Sequence, residues 1–212
     1  MTKERIKEWY DYWKGEVYFS YSGGKDSSVL LHIVRSMYPD VPAVFVDTGL
    51  EYPEIKQLIK QNDNIITVRP KMPFHKVIEN YGYPVIGKKQ ARFIRDLQNP
   101  TPGNEATRNL RLTGMNGNGE PCPSMKLAKK WLYLADAPFK ISEQCCNIIK
   151  KEPFHKYVKE NKKRGMNDVM AHESNKREKD YLRQGCNAFN LKEPISQPMA
   201  FWTEQDILWY IK

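Results

Sequence analysis

The chain predicts an α/β fold built on a parallel sheet with helices on both faces. Three observations carry that expectation. Short apolar runs at 17–22, 43–47 and 65–68 have the length and composition of strands. Each is followed by apolar positions at helical spacing, at 29–37, 53–59 and 74–81. The first junction is a Gly-Gly pair, which lets the backbone turn sharply between strand and helix. Such alternation gives βαβ units with right-handed crossovers. A chain of 212 residues holds one substantial core, so a single domain over 1–212 is expected.

In order along the chain, Ile6, Trp9, Tyr10 and Trp13 lie at helical spacing within 1–14 and mark an amphipathic helix. The strand at 17–22 follows. Val29, Leu30, Ile33, Val34 and Met37 form the core side of a helix that ends near Pro39. Residues 43–47 make a short strand, and 53–59 a helix with Pro53 tolerated in its first turn. A third strand at 65–68 and a further helix at 74–81 complete the regular part. Residues 98–123, rich in Gly, Asn, Pro and Thr, read as a mobile loop of the lid type. Helical patterns resume at 125–137 and 144–161, with a strand at 167–172 and a helix at 175–183. A last helix starts at Glu204, with Thr203 as its cap and Asp206 placed to answer it. It reaches Lys212 without a stop signal, so the chain reads as a fragment or a clipped version of a longer protein.

With 40% hydrophobic and 28% charged residues the composition is that of a soluble globular protein. No apolar run approaches the ~20 residues of a membrane span, and the charged segment 1–7 is no signal peptide. Four cysteines, two of them adjacent, do not form a secreted disulfide framework, and a reducing cytoplasm is the expected compartment. The net charge of +9 favours an anionic partner. A nucleotide with several phosphates suffices. Nucleic acid also fits, with the basic run 150–164 (Lys150, Lys151, Lys156, Lys159, Lys162, Lys163, Arg164) as its footprint. The same run, interrupted by Glu152 and Glu160, equally describes a solvated helix face.

The most informative stretch is Ser22-Gly23-Gly24-Lys25-Asp26-Ser27. Gly23 and Gly24 expose backbone amides, Asp26 or Ser27 is placed to cap the following helix, and Lys25 adds a full positive charge. Such a site suits a phosphate or sulfate. It is neither a Walker A loop, which needs four residues between its first glycine and the Gly-Lys pair, nor a G-x-G-x-x-G turn. Ligands of open α/β sheets bind beyond the carboxyl ends of the strands. Ser22 and Asp47 both fall at such ends, so the two should converge on one crevice.

The string SGGKDS resembles the PP-loop of the adenine nucleotide α-hydrolase-like superfamily, which includes ATP pyrophosphatases and phosphoadenosine phosphosulfate (PAPS) reductases. One βα unit later, Asp47-Thr48-Gly49 before Pro53-Glu54 is similar to the segment that borders adenosine in PAPS reductases. Glu173-Ser174 with Arg177 resembles the family's Glu-Ser-x-x-Arg signature, which implies that Arg177 meets a phosphate or sulfate bidentately. His172 stands where relatives often carry an acidic or basic residue; it reads as a proton-transfer group or as a satisfied structural histidine. The segment Pro194–Met199 with Trp202-Thr203 and Asp206-Ile207 matches a further family stretch and reads as architectural. The matches run from Val17 to Lys212 in the family's order. They imply a Rossmann-like sheet and a nucleotide site of Ser22, Gly23, Gly24, Lys25, Asp26, Ser27, Asp47, Thr48, Gly49, Glu173, Ser174 and Arg177. Lys25 and Arg177 are the implied catalytic pair. Arg92 and Arg95 are further phosphate clamps or solvated helix charges.

Cys145-Cys146 resembles one half of the iron–sulfur ligand set of cluster-bearing sulfonucleotide reductases. The other half there is a downstream C-x-x-C; none exists here, although Cys122 and Cys186 remain. Four thiolates suffice for a four-iron cluster, and adjacent cysteines also serve as apolar filler. The Glu-Cys-Gly-like tail that attacks sulfur in PAPS reductases has no counterpart here, so the nucleotide site is better supported than the reduction step.

The resemblance implies two chemistries. In one, PAPS or adenosine phosphosulfate (APS) is attacked at sulfur by a thiolate, and reduced thioredoxin releases sulfite. In the other, Mg²⁺-ATP is cleaved between its α and β phosphates, and the AMP activates a nucleic acid or other acceptor for thiolation. Lys25 and the loop amides then hold the pyrophosphate. A non-catalytic nucleotide-binding module is the third reading.

Overall fold

The computed structural model describes residues 1–212. Its contacts cluster into two compact units, one formed by Met1–Arg69 with Pro153–Lys212 and the other by Pro70–Glu152. The elements up to residue 98 are α1 (Thr2–Tyr12), β1 (Val17–Tyr21), α2 (Lys25–Met37), β2 (Ala43–Val46), α3 (Pro53–Gln61), β3 (Ile65–Val68), α4 (Phe74–Tyr81) and α5 (Lys88–Gln98). There follow α6 (Glu105–Thr113), α7 (Glu152–Asn161), β4 (Arg164–Met166), α8 (Asn175–Gln184), β5 (Asn187–Ala188), β6 (Ile195–Ser196) and α9 (Glu204–Ile211).

All six strands belong to the first unit, in the order β3-β2-β1-β4-β6-β5. Every pairing is parallel except that of β5 with β6. Alternate residues point to opposite faces, which gives the sheet two cores. Val17, Phe19 and Tyr21 of β1 with Ala43 and Phe45 of β2 pack against Ile6 and Trp9 of α1, Leu30 and Val34 of α2, and Ile207 of α9. Tyr18 and Val44, one position out of phase, pack against Phe154, Tyr157 and Val158 of α7. The α/β class with a parallel sheet and helices on both faces is therefore the observed one. From β1 the chain moves outward through β2 and β3, then returns with β4 on the other side of β1. The reversal of strand order lies between β1 and β4, where open sheets of this class place their ligand crevice.

One strand falls earlier than expected. The sheet contains Arg164–Met166, and residues 167–172 leave it. Asn167 still donates its amide to Ser196 O, but its side chain then accepts the Val169 amide at 3.3 Å. That local bond competes with the ladder and starts a turn. The charge of Arg164 and the presence of Gly165 break the apolar pattern of β4. Gly165 is sterically required, because a Cβ there would lie 2.9 Å from the Tyr18 hydroxyl.

In the second unit, Ala91, Phe93 and Ile94 of α5 pack with Leu127, Leu134 and Ile141. The loop expected over 98–123 instead contains α6. Thr101 and Asn104 cap each other in a short 3₁₀ turn before the helix, and Gly114, at φ +79°, ends it. The buried residue of α6 is Arg111, which donates to Asp96 at 3.0 Å and lies 4.1 Å from the Phe93 ring centroid. A helix whose inward residue is a paired arginine shows no apolar periodicity. Residues 147–151 form a π-helical turn just before Pro153. Proline lacks an N–H and crowds the carbonyl four residues back, so a widened turn relieves the clash.

Candidate functional site

The bend after β1 is held by its serines. The Ser27 hydroxyl, fully buried, donates to Gly24 O at 2.9 Å. With that proton committed, Ser22 Oγ donates to Ser27 Oγ at 2.9 Å and accepts the Gly24 amide at 3.2 Å. Gly23 adopts φ +76°, and a Cβ there would lie 2.8 Å from Ile55 of α3. Only glycine satisfies both the conformation and the space. The expected capping by Asp26 or Ser27 does not occur. Gly24 is the N-cap of α2 and no side chain caps it. Ser27 is engaged in the bend and Asp26 in an ion pair, which leaves the first amides of α2 to an external acceptor.

Lys25 is not a free cation in this arrangement. Its ammonium lies 3.0 Å from Asp26 and 3.1 Å from Glu204 of α9. Hydrogen bonds to Asp26 and then Glu204 push its pKa upward. Arg177 is likewise occupied by Glu173, whose carboxylate also accepts the Met170 amide at 3.0 Å. Ser174 caps α8 by accepting the Arg177 amide at 3.3 Å. His172 donates Nδ1–H to Trp202 O at 3.0 Å, which fits its structural reading.

Asp47 closes the turn after β2. Burial alone would raise its carboxyl, but the Gly49 amide, Lys56 and Arg69 outweigh that and hold it below the usual carboxylate range. The corresponding distances are 3.1 Å to Gly49 N, 3.6 Å to Lys56 and 3.2 Å to Arg69. Thr48 is buried and donates both its amide and its hydroxyl to Glu51. Glu51 escaped the sequence reading because nothing about a lone glutamate before Tyr52 signals a turn closure.

Asp168 is the site residue that sequence reasoning missed. It follows β4, beside β1 in the sheet, and so reaches the same strand-end crevice as the bend. Burial first, then the negative charges of Asp26 and Glu173, push its carboxyl upward, while its own amide and Arg177 oppose the shift. Those couplings tie the bend, the turn after β4 and α8 into one charged cluster in the first unit. The structure thus brings together Ser22–Ser27, Asp168, Glu173, Arg177 and Glu204. The turn 47–51 is linked to the bend through Ile55 of the adjoining α3.

The cysteines do not form the anticipated cluster set. All four are free, and no group of three or more His, Cys, Asp or Glu side chains is arranged to hold a metal. Cys186 belongs to the first unit and the other three to the second. Cys186 is buried, and burial pushes its thiol up, away from the thiolate a ligand or nucleophile needs. In the second unit Arg95 is held by Glu143 at 2.7 Å and by Asp96 at 3.5 Å, so it is no open clamp.

Residues 16–90, which run from just before β1 into α5, match the phosphoadenosine phosphosulfate reductase domain. An adenosine 5'-phosphosulfate reductase of Bacillus mycoides is 33% identical over 70 residues, 33% of this chain and 27% of that protein. A phosphoadenosine 5'-phosphosulfate reductase of Serratia proteamaculans is 37% identical over 62 residues, 29% of this chain and 25% of that one. An uncharacterised protein of Methanocaldococcus jannaschii is 34% identical over 86 residues, 37% of this chain and 21% of its own length. These matches span about a quarter of the curated relatives. A PAPS reductase of Candida auris, solved as a phosphate complex, shares the fold with a TM-score of 0.53 at 12% identity, over 100% of this chain and 78% of that one. The sheet order and the strand-end bend are in keeping with that match, and over residues 16–90 the chain resembles the phosphoadenosine phosphosulfate reductase domain.

Proposed function

We propose that the first unit binds an adenosine phosphosulfate, APS or PAPS, at the carboxyl ends of β1 and β4 and acts in sulfonucleotide chemistry. The observation that carries this is the uncapped start of α2, opened by Gly23 at positive φ against Ile55. A phosphate or sulfate there receives the free amides of α2 and takes the place of Asp26 and Glu204 on Lys25. Asp47, Thr48 and Gly49 border the adenosine. Arg177, released from Glu173, closes the anion from the side of α8. The named activities of the Bacillus and Serratia relatives support the sulfonucleotide as ligand.

Attack on sulfur needs a thiolate, and buried Cys186 does not supply one. That observation favours a second reading, ATP cleavage between the α and β phosphates, which needs no thiol. A magnesium ion would then ride chiefly on the nucleotide phosphates, because the protein offers no ready cage. In the reduction reading the partner is a dithiol protein such as thioredoxin, in keeping with a cytoplasmic setting. No helix is long and apolar enough to cross a membrane.

Titration calorimetry with APS, PAPS and ATP, followed by assays for sulfite and pyrophosphate, separates the readings. Sulfite formed with an added dithiol supports the first, and Mg²⁺-dependent pyrophosphate the second. Binding with neither product identifies a nucleotide-binding module. Lys25→Ala should weaken nucleotide binding at least about tenfold, the worth of one charged hydrogen bond. Unchanged affinity in that variant would remove the bend from the site.

A further inference from the structure

We propose that the second unit carries a binding surface for single-stranded nucleic acid on α5 and the 3₁₀ segment Lys129–Asp136. Residues 70–152 hold 14 Lys and Arg against 7 Asp and Glu, so they contribute +7 of the chain's +9. Three of these carboxylates are already paired within the unit, and Asp136 ends the 3₁₀ segment, seven residues past Lys129. Asp96 and Glu143 are taken by Arg95 and Arg111, and Glu79 by Lys76. Lys88, Lys89, Arg92, Lys129 and Lys130 are exposed and enter no ion pair.

The fold gathers these cations. Arg92 follows Lys88 by four residues and Lys89 by three, so the three cations are neighbours on α5. The two segments run side by side from a common end. Gln90 accepts the Ala128 amide at 2.9 Å, and Gln98 donates to Leu134 O at 3.2 Å. Lys129 and Lys130 therefore lie beside the start of α5. Aromatic rings sit among the charges. Lys130 is 5.2 Å from the Trp131 ring centroid, and Tyr133 is 66% exposed. Unpaired cations for phosphates beside an open ring for base stacking are the two components of a sequence-tolerant single-strand surface. An acidic polypeptide would satisfy the charges but leave Tyr133 without a partner.

The basic run 150–164, the footprint that the sequence suggests, is a poorer candidate. There Lys156 faces Glu160 at 3.9 Å and Lys163 faces Glu16 at 3.2 Å. Apart from Arg92, which the sequence also offers as a phosphate clamp, the surface shares no residue with the nucleotide site, and the Lys129 and Lys130 variants test it independently.

The test is fluorescence anisotropy of the full chain with a labelled oligothymidine over 50–300 mM salt. The triple variant Lys88→Ala, Lys89→Ala, Arg92→Ala should bind about tenfold or more weakly at the lowest salt. Its log–log salt slope should flatten by about 2, at ~0.7 per lost phosphate contact. Tyr133→Ala should weaken binding about fivefold or more with the slope unchanged, as expected for lost stacking. If the triple variant fails a circular dichroism check of its fold, Lys129→Ala with Lys130→Ala takes its place, with a proportionately smaller change in slope. Undetectable binding by the unaltered chain overturns the proposal, as does equal binding by folded variants. Polyglutamate that binds as tightly as the oligonucleotide, with Tyr133→Ala silent, assigns the surface to an acidic protein instead.

Discussion

The two units treat charge in opposite ways. In the first, the cations at the candidate site are already matched: Lys25 to Asp26 and Glu204, Arg177 to Glu173, and Lys56 and Arg69 to Asp47. In the second, Arg95 and Arg111 are paired inward, while Lys88, Lys89, Arg92, Lys129 and Lys130 are exposed and free of ion pairs. An anion at the first site must displace carboxylates already paired with Lys25 and Arg177. An anion at the second meets open, solvated charge and should respond steeply to salt.

The largest expected effect breaks the inward pairing of the second unit. Asp96→Ala leaves Arg111 buried, over Phe93, with no counter-charge. Removing one partner of a buried pair costs about 3–5 kcal/mol. Urea unfolding should show a transition shifted by about 3 kcal/mol. Arg111→Met, which removes the charge as well, should cost visibly less. Equal losses would mean that the pair acts only by packing.

The next contrast lies within the first unit. Gly23→Ala meets both a positive φ and Ile55 at 2.8 Å, whereas Gly49→Ala meets a positive φ of +83° with nothing within 4 Å. Strain alone is worth about 1 kcal/mol. Gly49→Ala should lose about that much, and Gly23→Ala more, together with nucleotide binding. The double variant Gly23→Ala, Ile55→Ala should recover part of the excess. If the two single variants prove equally stable, the contact with Ile55 does not shape the bend.

The difference between the units also explains how much could be read from the chain. From 17 to 81 the apolar periods are clean, and β3 and α4 fall at their expected bounds. The bend at 22–27 was legible because Gly-Gly, lysine and serine each have a local reason to be there. α6 was not, because Arg111 takes the inward position that an apolar residue would normally mark. β4 was displaced because Asn167 ends the ladder with its own side chain. The role of Asp168 depends on strand order, which brings it to β1 from far along the chain, and no local string encodes that.

A smaller effect tests whether the first site is held closed by its own carboxylates. Glu204 is exposed, and its contact with Lys25 is weak support for the fold. Glu204→Gln should leave stability unchanged within about 0.5 kcal/mol. It should also tighten nucleotide binding about two- to fivefold by freeing the ammonium. Weaker binding would show instead that Glu204 orients Lys25 for the ligand.

The smallest and most diagnostic effect concerns Asp168. Its carboxyl is pushed up by burial and by Asp26 and Glu173, with Arg177 only partly offsetting them. A carboxyl whose pKa is higher folded than unfolded keeps its proton longer in the native state. Stability therefore falls as pH rises from the unfolded value near 4 through the folded one. Asp168→Asn removes that penalty. The variant should unfold at higher urea than the unaltered chain at pH 7.5 and at nearly the same urea below pH 4. It should also bind an anionic nucleotide a few-fold more tightly at pH 7.5, since one like charge has left the crevice. A gain in midpoint of equal size at both pH values would place the benefit in packing, and Asp168 would then have no electrostatic part in the site.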